Sequence, residues 1–221
     1  MSDPLVECRD LGRRTPDGRW LLEGAALRLA AGSRTAISGP SGSGKSLLLR
    51  AIALLDPAEA GEVLCRGETI ANQDVPRYRA EVMYVPQRPT LLEGSVEDNL
   101  RLPFELAVRR NQKFDRASYQ TPLKRLGRDD GFLDKSVGDL SGGERQLVVL
   151  LRTLALEPTV LLLDEPTAAL DPKTRDAAES LLGDWLRQRS ERAFLWVTHD
   201  ADQAGRVGDT QLTMEGGRLR D

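Results

Sequence analysis

The stretch Gly39, Pro40, Ser41, Gly42, Ser43, Gly44, Lys45 and Ser46 constrains this chain more than any other. It follows the pattern G-x-x-x-x-G-K-[ST]. It stands between a short strand-like stretch, residues 35–38, and the leucine-rich run 45–55, which meets no breaker before Asp56 and Pro57. A strand, a glycine-rich turn and a helix in that order aim backbone N–H groups at one point. A polyphosphate there meets converging donors and the positive end of a helix dipole. On this reading Lys45 reaches the β- and γ-phosphates and the Ser46 hydroxyl ligates Mg²⁺.

Further along, Val160, Leu161, Leu162 and Leu163 run straight into Asp164 and Glu165. An apolar strand ending in two acids sets carboxylates at the carboxyl edge of a sheet, where open α/β folds bind ligands. Asp164 is expected to hold Mg²⁺, and Glu165 to polarise an attacking water. Short apolar runs at 159–163 and 193–198, with a helical stretch 173–188 between them, read as buried parallel strands. Turn sequences at 15–18 and 30–32 divide an opening antiparallel β region, and 209–219 reads as a closing hairpin. Residues 95–110 and 115–126 are helix-compatible, and a strong helix is expected from Gly142. These features define an α/β phosphate-loop core with a mixed, mainly parallel sheet, an N-terminal antiparallel β subdomain and an inserted α-helical subdomain. They leave kinases, GTPases and many ATPases open.

Charge narrows the partners. Lys and Arg number 31 against 34 Asp and Glu in 221 residues, a net charge of −3, so the basic footprint of a general nucleic-acid binder is missing and no nucleic-acid partner is expected. No apolar run approaches the ~18–20 residues of a membrane span. The opening residues 1–8 lack a basic stretch followed by an apolar one, so no export leader is visible and an intracellular location is expected. Cys8 and Cys65 form no metal-ligand pattern and read as free thiols.

The deciding element is Leu140, Ser141, Gly142, Gly143 and Glu144, with Gln146 in the helix that follows. Ser141, Gly142 and Gly143 at a helix N-terminus make a second anion site, separate from the first. Here the chain resembles the nucleotide-binding subunit of an ATP-binding cassette (ABC) transporter, over nearly its whole length. The resemblance identifies Gln87, after the strand 82–85, with the family's Q-loop glutamine, which senses Mg²⁺ or water. It matches Ala168, Ala169, Leu170 and Asp171 to the D-loop, and the sole histidine, His199, to the switch histidine that contacts the γ-phosphate.

The resemblance also implies a division of labour. Two copies pair head to tail around ATP, as a homodimer in the ATP-bound state, with Ser141, Gly142 and Gly143 clamping the γ-phosphate in trans and Asp171 at the seam. The implied partner is an integral membrane subunit, and the implied place is cytoplasmic, peripheral on the inner face of the cell membrane. The implied reaction is ATP hydrolysis that powers solute movement. A soluble ABC-type ATPase not coupled to transport is the alternative. Residues 1–87 and 157–221 are expected to form the catalytic core with its β subdomain, and about 88–156 the helical subdomain.

Three departures stand out. The family's adenine-stacking aromatic falls at Thr15, with Trp20 across the expected hairpin. Ala168 occupies a place often held by Ser, and the apolar residues 147–151 replace a commonly more basic stretch. The segment 97–104 is similar to small bacterial cassettes of the iron-export type.

Overall fold

The computed structural model describes residues 4–109 and 111–220. Part of the segment read for a leader, residues 1–3, and Arg110 at the end of the expected helix 95–110 lie outside the described residues.

The described chain divides into two units, the first taking in Met1–Tyr84, Pro158–Glu165 and Leu186–Asp221, the second Val85–Glu157 and Pro166–Trp185. In the first unit the opening β region is antiparallel as expected up to Leu29, whereas the stretch after the turn at 30–32 joins a second sheet in parallel pairing. Strands β1 (Val6–Arg14), β2 (Trp20–Leu29), β3 (Arg34–Ser38), β4 (Ala60–Cys65) and β5 (Glu68–Thr69) are joined by helices α1 (Lys45–Ile52) and α2 (Val75–Glu81). β2, β1, β4 and β5 make a four-stranded sheet whose registered pairs are all antiparallel.

A second sheet has the order β10-β9-β3-β8-β7-β6, from β6 (Val82–Val85), β7 (Val160–Asp164), β8 (Ala193–Val197), β9 (Thr210–Glu215) and β10 (Arg218–Arg220). β3 runs parallel to both β8 and β9, β7 parallel to β8, and β10 closes back antiparallel on β9. Every residue of β7 and β8 is buried, which is why those strands read as continuous apolar runs rather than alternating ones. Leu48, Leu49 and Ile52 of α1 pack into one core with Leu162, Leu195, Val197 and the inner faces of β1 and β2.

Trp20 lies opposite Arg14 across the β1–β2 hairpin. The Arg14 guanidinium sits 3.9 Å over its ring, and a Cβ on Gly12 would stand 2.8 Å from the ring edge. Cys8 is buried, Cys65 half-buried, and both are free.

The second unit carries α3 (Val96–Arg101), α4 (Gln120–Arg125), α5 (Gly142–Ala155) and most of α6 (Pro172–Arg187). The helix expected over 95–110 is shorter than its composition suggests. It opens on a Ser95–Asp98 capping box and gives way at Leu102 to a 3₁₀ turn with Pro103 near its start. Proline offers no N–H and disfavours helical geometry in the residue before it.

Candidate nucleotide site

In the first unit, β3 delivers the chain into the glycine-rich loop and α1 leaves it. Gly44 caps α1 with φ +106, and a Cβ there would meet the Leu21 carbonyl oxygen at 2.9 Å. Only glycine accepts both that backbone region and that approach. Lys45 is buried and folds back over the loop, its Nζ donating to the carbonyls of Gly39 at 2.7 Å and Pro40 at 2.8 Å. Burial lowers its pKa, opposed by the nearby charges of Glu165 and Asp164. The ammonium is thus held over the loop backbone and offset by acids, placed to exchange carbonyl contacts for phosphate oxygens.

Ser46, the second residue of α1, donates from its hydroxyl to Asp164 Oδ1 at 2.9 Å. The Tyr84 hydroxyl, on the neighbouring strand β6, donates to Asp164 Oδ2 at 2.8 Å. Burial raises the Asp164 carboxyl, and the hydrogen bonds from Tyr84 and Ser46 pull it back. Glu165 follows with φ +46, a left-handed value that costs a non-glycine residue about 1–2 kcal/mol. Its N–H donates to Val197 O at 3.0 Å. The turn out of the strand re-aims its carboxylate, and Oε2 comes within 3.1 Å of His199 Nδ1. Strain of this kind, held by the surrounding sheet, collects at reactive positions. The Glu165 side chain is 12 % exposed and that of His199 61 %, so the carboxylate is sheltered while the imidazole faces outward.

The first unit therefore brings together residues 39–46, Asp164, Glu165 and His199. Gln87, Ser141, Gly142, Gly143 and Asp171 belong to the second unit. There Ser141 caps α5, its hydroxyl accepting from Glu144 N at 3.2 Å while Glu144 Oε2 accepts from Ser141 N at 3.0 Å. That reciprocal box satisfies the Glu144 N–H, one of the helix's first-turn donors. Gln146, buried on α5, reaches the Pro86 carbonyl just before Gln87 at 3.4 Å. Asp171 caps α6 through Thr174, accepting from its N–H at 3.1 Å and its hydroxyl at 2.6 Å.

Tyr84 is the site residue that the sequence reading missed. It sits in a run that reads simply as an apolar strand, and its only signal is a hydroxyl three positions before Gln87.

A phosphate loop with its lysine folded over it, and a buried aspartate and a turned glutamate at the carboxyl end of the strand beyond, define a nucleoside-triphosphate-hydrolysing α/β domain. The family profile described as ABC transporter matches residues 22–168. The chain belongs to the ABC transporter family, as an ATP-binding subunit that hydrolyses ATP. It is 36 % identical over 214 residues to the probable iron export ATP-binding protein FetA of Escherichia coli, covering 97 % of this chain and 92 % of that one. It is 40 % identical over 222 residues to the sulfate/thiosulfate import ATP-binding protein CysA of Bordetella bronchiseptica, covering 97 % of this chain and 60 % of the relative. Among solved structures, the dimeric post-hydrolysis state of an ATP-binding cassette bound to ADP and phosphate superposes with a TM-score of 0.83 at 26 % identity, covering 98 % of this chain and 97 % of that one. The sequence-level expectation of family, fold and ATPase activity agrees with these findings. They favour a transporter subunit over the soluble alternative. Among the described residues no helix is long and apolar enough to cross a membrane.

Proposed function

We propose that this chain works as one of two identical cassettes that close on ATP and drive an integral membrane subunit from the cytoplasmic face of the membrane. The observation that carries the reading is the Glu165–His199 pair at 3.1 Å, at the end of the strand whose preceding residue, Asp164, bonds Ser46 of the phosphate loop. A water beside Glu165 then meets a base, and the imidazole faces the place where the terminal phosphate lies.

The loop from Gly39 through Pro40, Ser41, Gly42, Ser43 and Gly44 to Lys45 cradles the phosphates. Ser46, Asp164 and Gln87 would hold Mg²⁺. The first two fit such a hard cation, since both offer oxygen, and they already stand 2.9 Å apart. No cluster of three or more acidic, His or Cys side chains exists among the described residues to cage a metal unaided, and an Mg²⁺ here would take further ligands from substrate phosphates and water. Bound there, the ion neutralises phosphate charge.

Ser141, Gly142 and Gly143 clamp the γ-phosphate bound to the other copy, and Asp171 lies at the seam. Residues 88–156 serve as the lobe that follows the membrane subunit. ATP favours the closed pair only by binding it better than the open one, so hydrolysis releases it. The two named relatives carry different solutes in opposite directions by their descriptions, which agrees with cargo being chosen in the membrane subunit.

The test is Glu165→Gln. The variant should elute as an ATP-dependent dimer on a sizing column with hydrolysis nearly abolished, and unchanged turnover would remove Glu165 as the base. Pull-down of the tagged chain from membranes should bring an integral membrane subunit with it.

A further inference from the structure

His199 is exposed on the short crossing from β8 to helix α7 (Ala201–Val207), yet its imidazole is held against Glu165. The side chain turns freely about its own bonds, so the place of the imidazole depends on how firmly the backbone beneath it is set. The peptide unit before it is tied on both sides. The Val197 carbonyl accepts from Glu165 N at 3.0 Å, and the Thr198 N–H donates to Ile37 O at 3.1 Å. That peptide continues the sheet between β7, which ends at Asp164, and β3, which leads into the phosphate loop.

A second set of ties runs through the Thr198 hydroxyl. Thr198 is buried. Its Oγ1 donates to Gln203 Oε1 at 2.7 Å and accepts from Asp200 N at 3.0 Å, which closes a bond across His199. Gln203, also buried, donates its own N–H to Asp200 Oδ1 at 3.0 Å. Thr198, Asp200 and Gln203 therefore form a closed circuit of hydrogen bonds, and His199 is the residue that the circuit spans. A hydroxyl has a single proton. Committed to Gln203, it leaves a lone pair for the Asp200 N–H. Turned elsewhere, it would strand a polar group in a buried place. Gln203 thus sets the direction of the hydroxyl, and the hydroxyl sets the turn that carries His199. If packing alone required this residue, valine would serve as well.

We infer that Thr198, its hydroxyl aimed by Gln203, is a positioning residue for hydrolysis, which sets the His199 backbone so that the imidazole stands beside Glu165 at the terminal phosphate. The inference rests on the proposed roles of His199 and Glu165. It adds a division between them and their support: His199 faces the phosphate, and Thr198 and Gln203 act only through His199.

The experiment measures turnover of the full chain at saturating ATP, the half-saturating ATP concentration and the melting temperature. Thr198→Val removes the hydroxyl and keeps the branched shape. It should lower turnover about tenfold, the scale of one buried hydrogen bond, and move half-saturation by less than about twofold. Thr198→Ser keeps the hydroxyl and should hold turnover within about threefold of wild type. Gln203→Leu leaves the hydroxyl unaimed and should act in the same direction as Thr198→Val. The deciding measurement adds His199→Ala. Once the imidazole is gone, Thr198→Val should cost less than about twofold more, because it acts through His199. A merely structural hydroxyl costs its full amount in that background too, so additive losses overturn the inference. A fall under about threefold in the single variant also overturns it, as does a rise in half-saturation that matches the loss of turnover. Should Thr198→Val fail to fold, Gln203→Leu takes its place in the same cycle. If His199→Ala slows turnover while Thr198→Val does not, this inference alone fails; if His199→Ala leaves turnover at the wild-type level, the reading of His199 fails with it.

Discussion

His199 Nδ1 stands 3.1 Å from Glu165 Oε2, joining residues 34 apart in sequence. Glu165 lies just past the end of β7 and His199 just past the end of β8, its neighbour in the sheet. The imidazole therefore follows the orientation of the carboxylate, beside the place proposed for the terminal phosphate. His199→Ala should lower the hydrolysis rate about a hundredfold, as loss of a positioned polar group at a reacting phosphate does, with ATP affinity by equilibrium binding little changed. A parallel loss of affinity would assign His199 to binding instead.

Gly142 and Gly143 should separate under substitution. A Cβ at Gly143 meets the Ala169 carbonyl oxygen at 2.8 Å, whereas one at Gly142 meets nothing within 4 Å. Gly143→Ala must push on the turn that leads to Asp171, and should destabilise the fold by about 1–3 kcal/mol. Gly142→Ala should leave thermal stability intact and still slow hydrolysis, because its methyl enters only the space proposed for the partner's ATP. Thermal melts beside turnover assays distinguish the two.

Glu144 sets an acid limit on the start of α5. The Ser141 backbone N–H that it accepts, helped by Lys135, holds its carboxyl below the ordinary 4.5. A carboxyl lowered on folding contributes stability that is fully present above the unfolded value and is lost as pH falls through the folded one. The melting-temperature gap between wild type and Glu144→Gln should be widest near neutrality and close below about pH 4.

Asn99 organises the chain ahead of α3. It is 1 % exposed, and its amide binds Leu92 N at 2.8 Å, Leu92 O at 2.9 Å and Ser95 O at 3.0 Å. Asn99→Ala takes the side-chain partner from the Leu92 N–H and carbonyl, Ser95 O keeping the Asn99 backbone N–H at 3.3 Å, and should cost about 1–3 kcal/mol. Hydrogen exchange at the Leu92 amide should accelerate, while Leu48 and Leu162 stay protected.

Base selectivity should be weak. Thr15 stands where an aromatic platform is expected, and Trp20 is engaged with Arg14 over its ring and Gly12 at its edge. ATP and GTP turnover should agree within about tenfold, a gap of roughly 1.4 kcal/mol, and Trp20→Ala should lower stability without changing that ratio. A large ATP preference lost in Trp20→Ala would return Trp20 to the base site.

The contiguous motifs were readable because their chemistry is local. Residues 39–46 contain their own turn, and Ser141 to Glu144 contain their own cap, so strand, loop and helix follow from a few neighbouring side chains. β7 and β8 were found for a similar reason, since full burial on both faces leaves an unbroken apolar run. The helix boundary at Leu102 is not visible in a stretch, 95–110, read as helix-compatible throughout, although Pro103 within it is a helix breaker.

The amino-acid order by itself determined the phosphate loop, the strand-end acids, the capped α5 and, through their succession, the family. Only the tertiary structure decided that Ser46 meets Asp164 across 118 residues and Tyr84 meets it across 80, and that a left-handed turn swings Glu165 toward His199. Hydrogen bonds act over a few tenths of an ångström. The sheet order β3-β8-β7-β6 joins segments far apart in the chain, so such distances are set by how the strands pack and register, which no local pattern encodes.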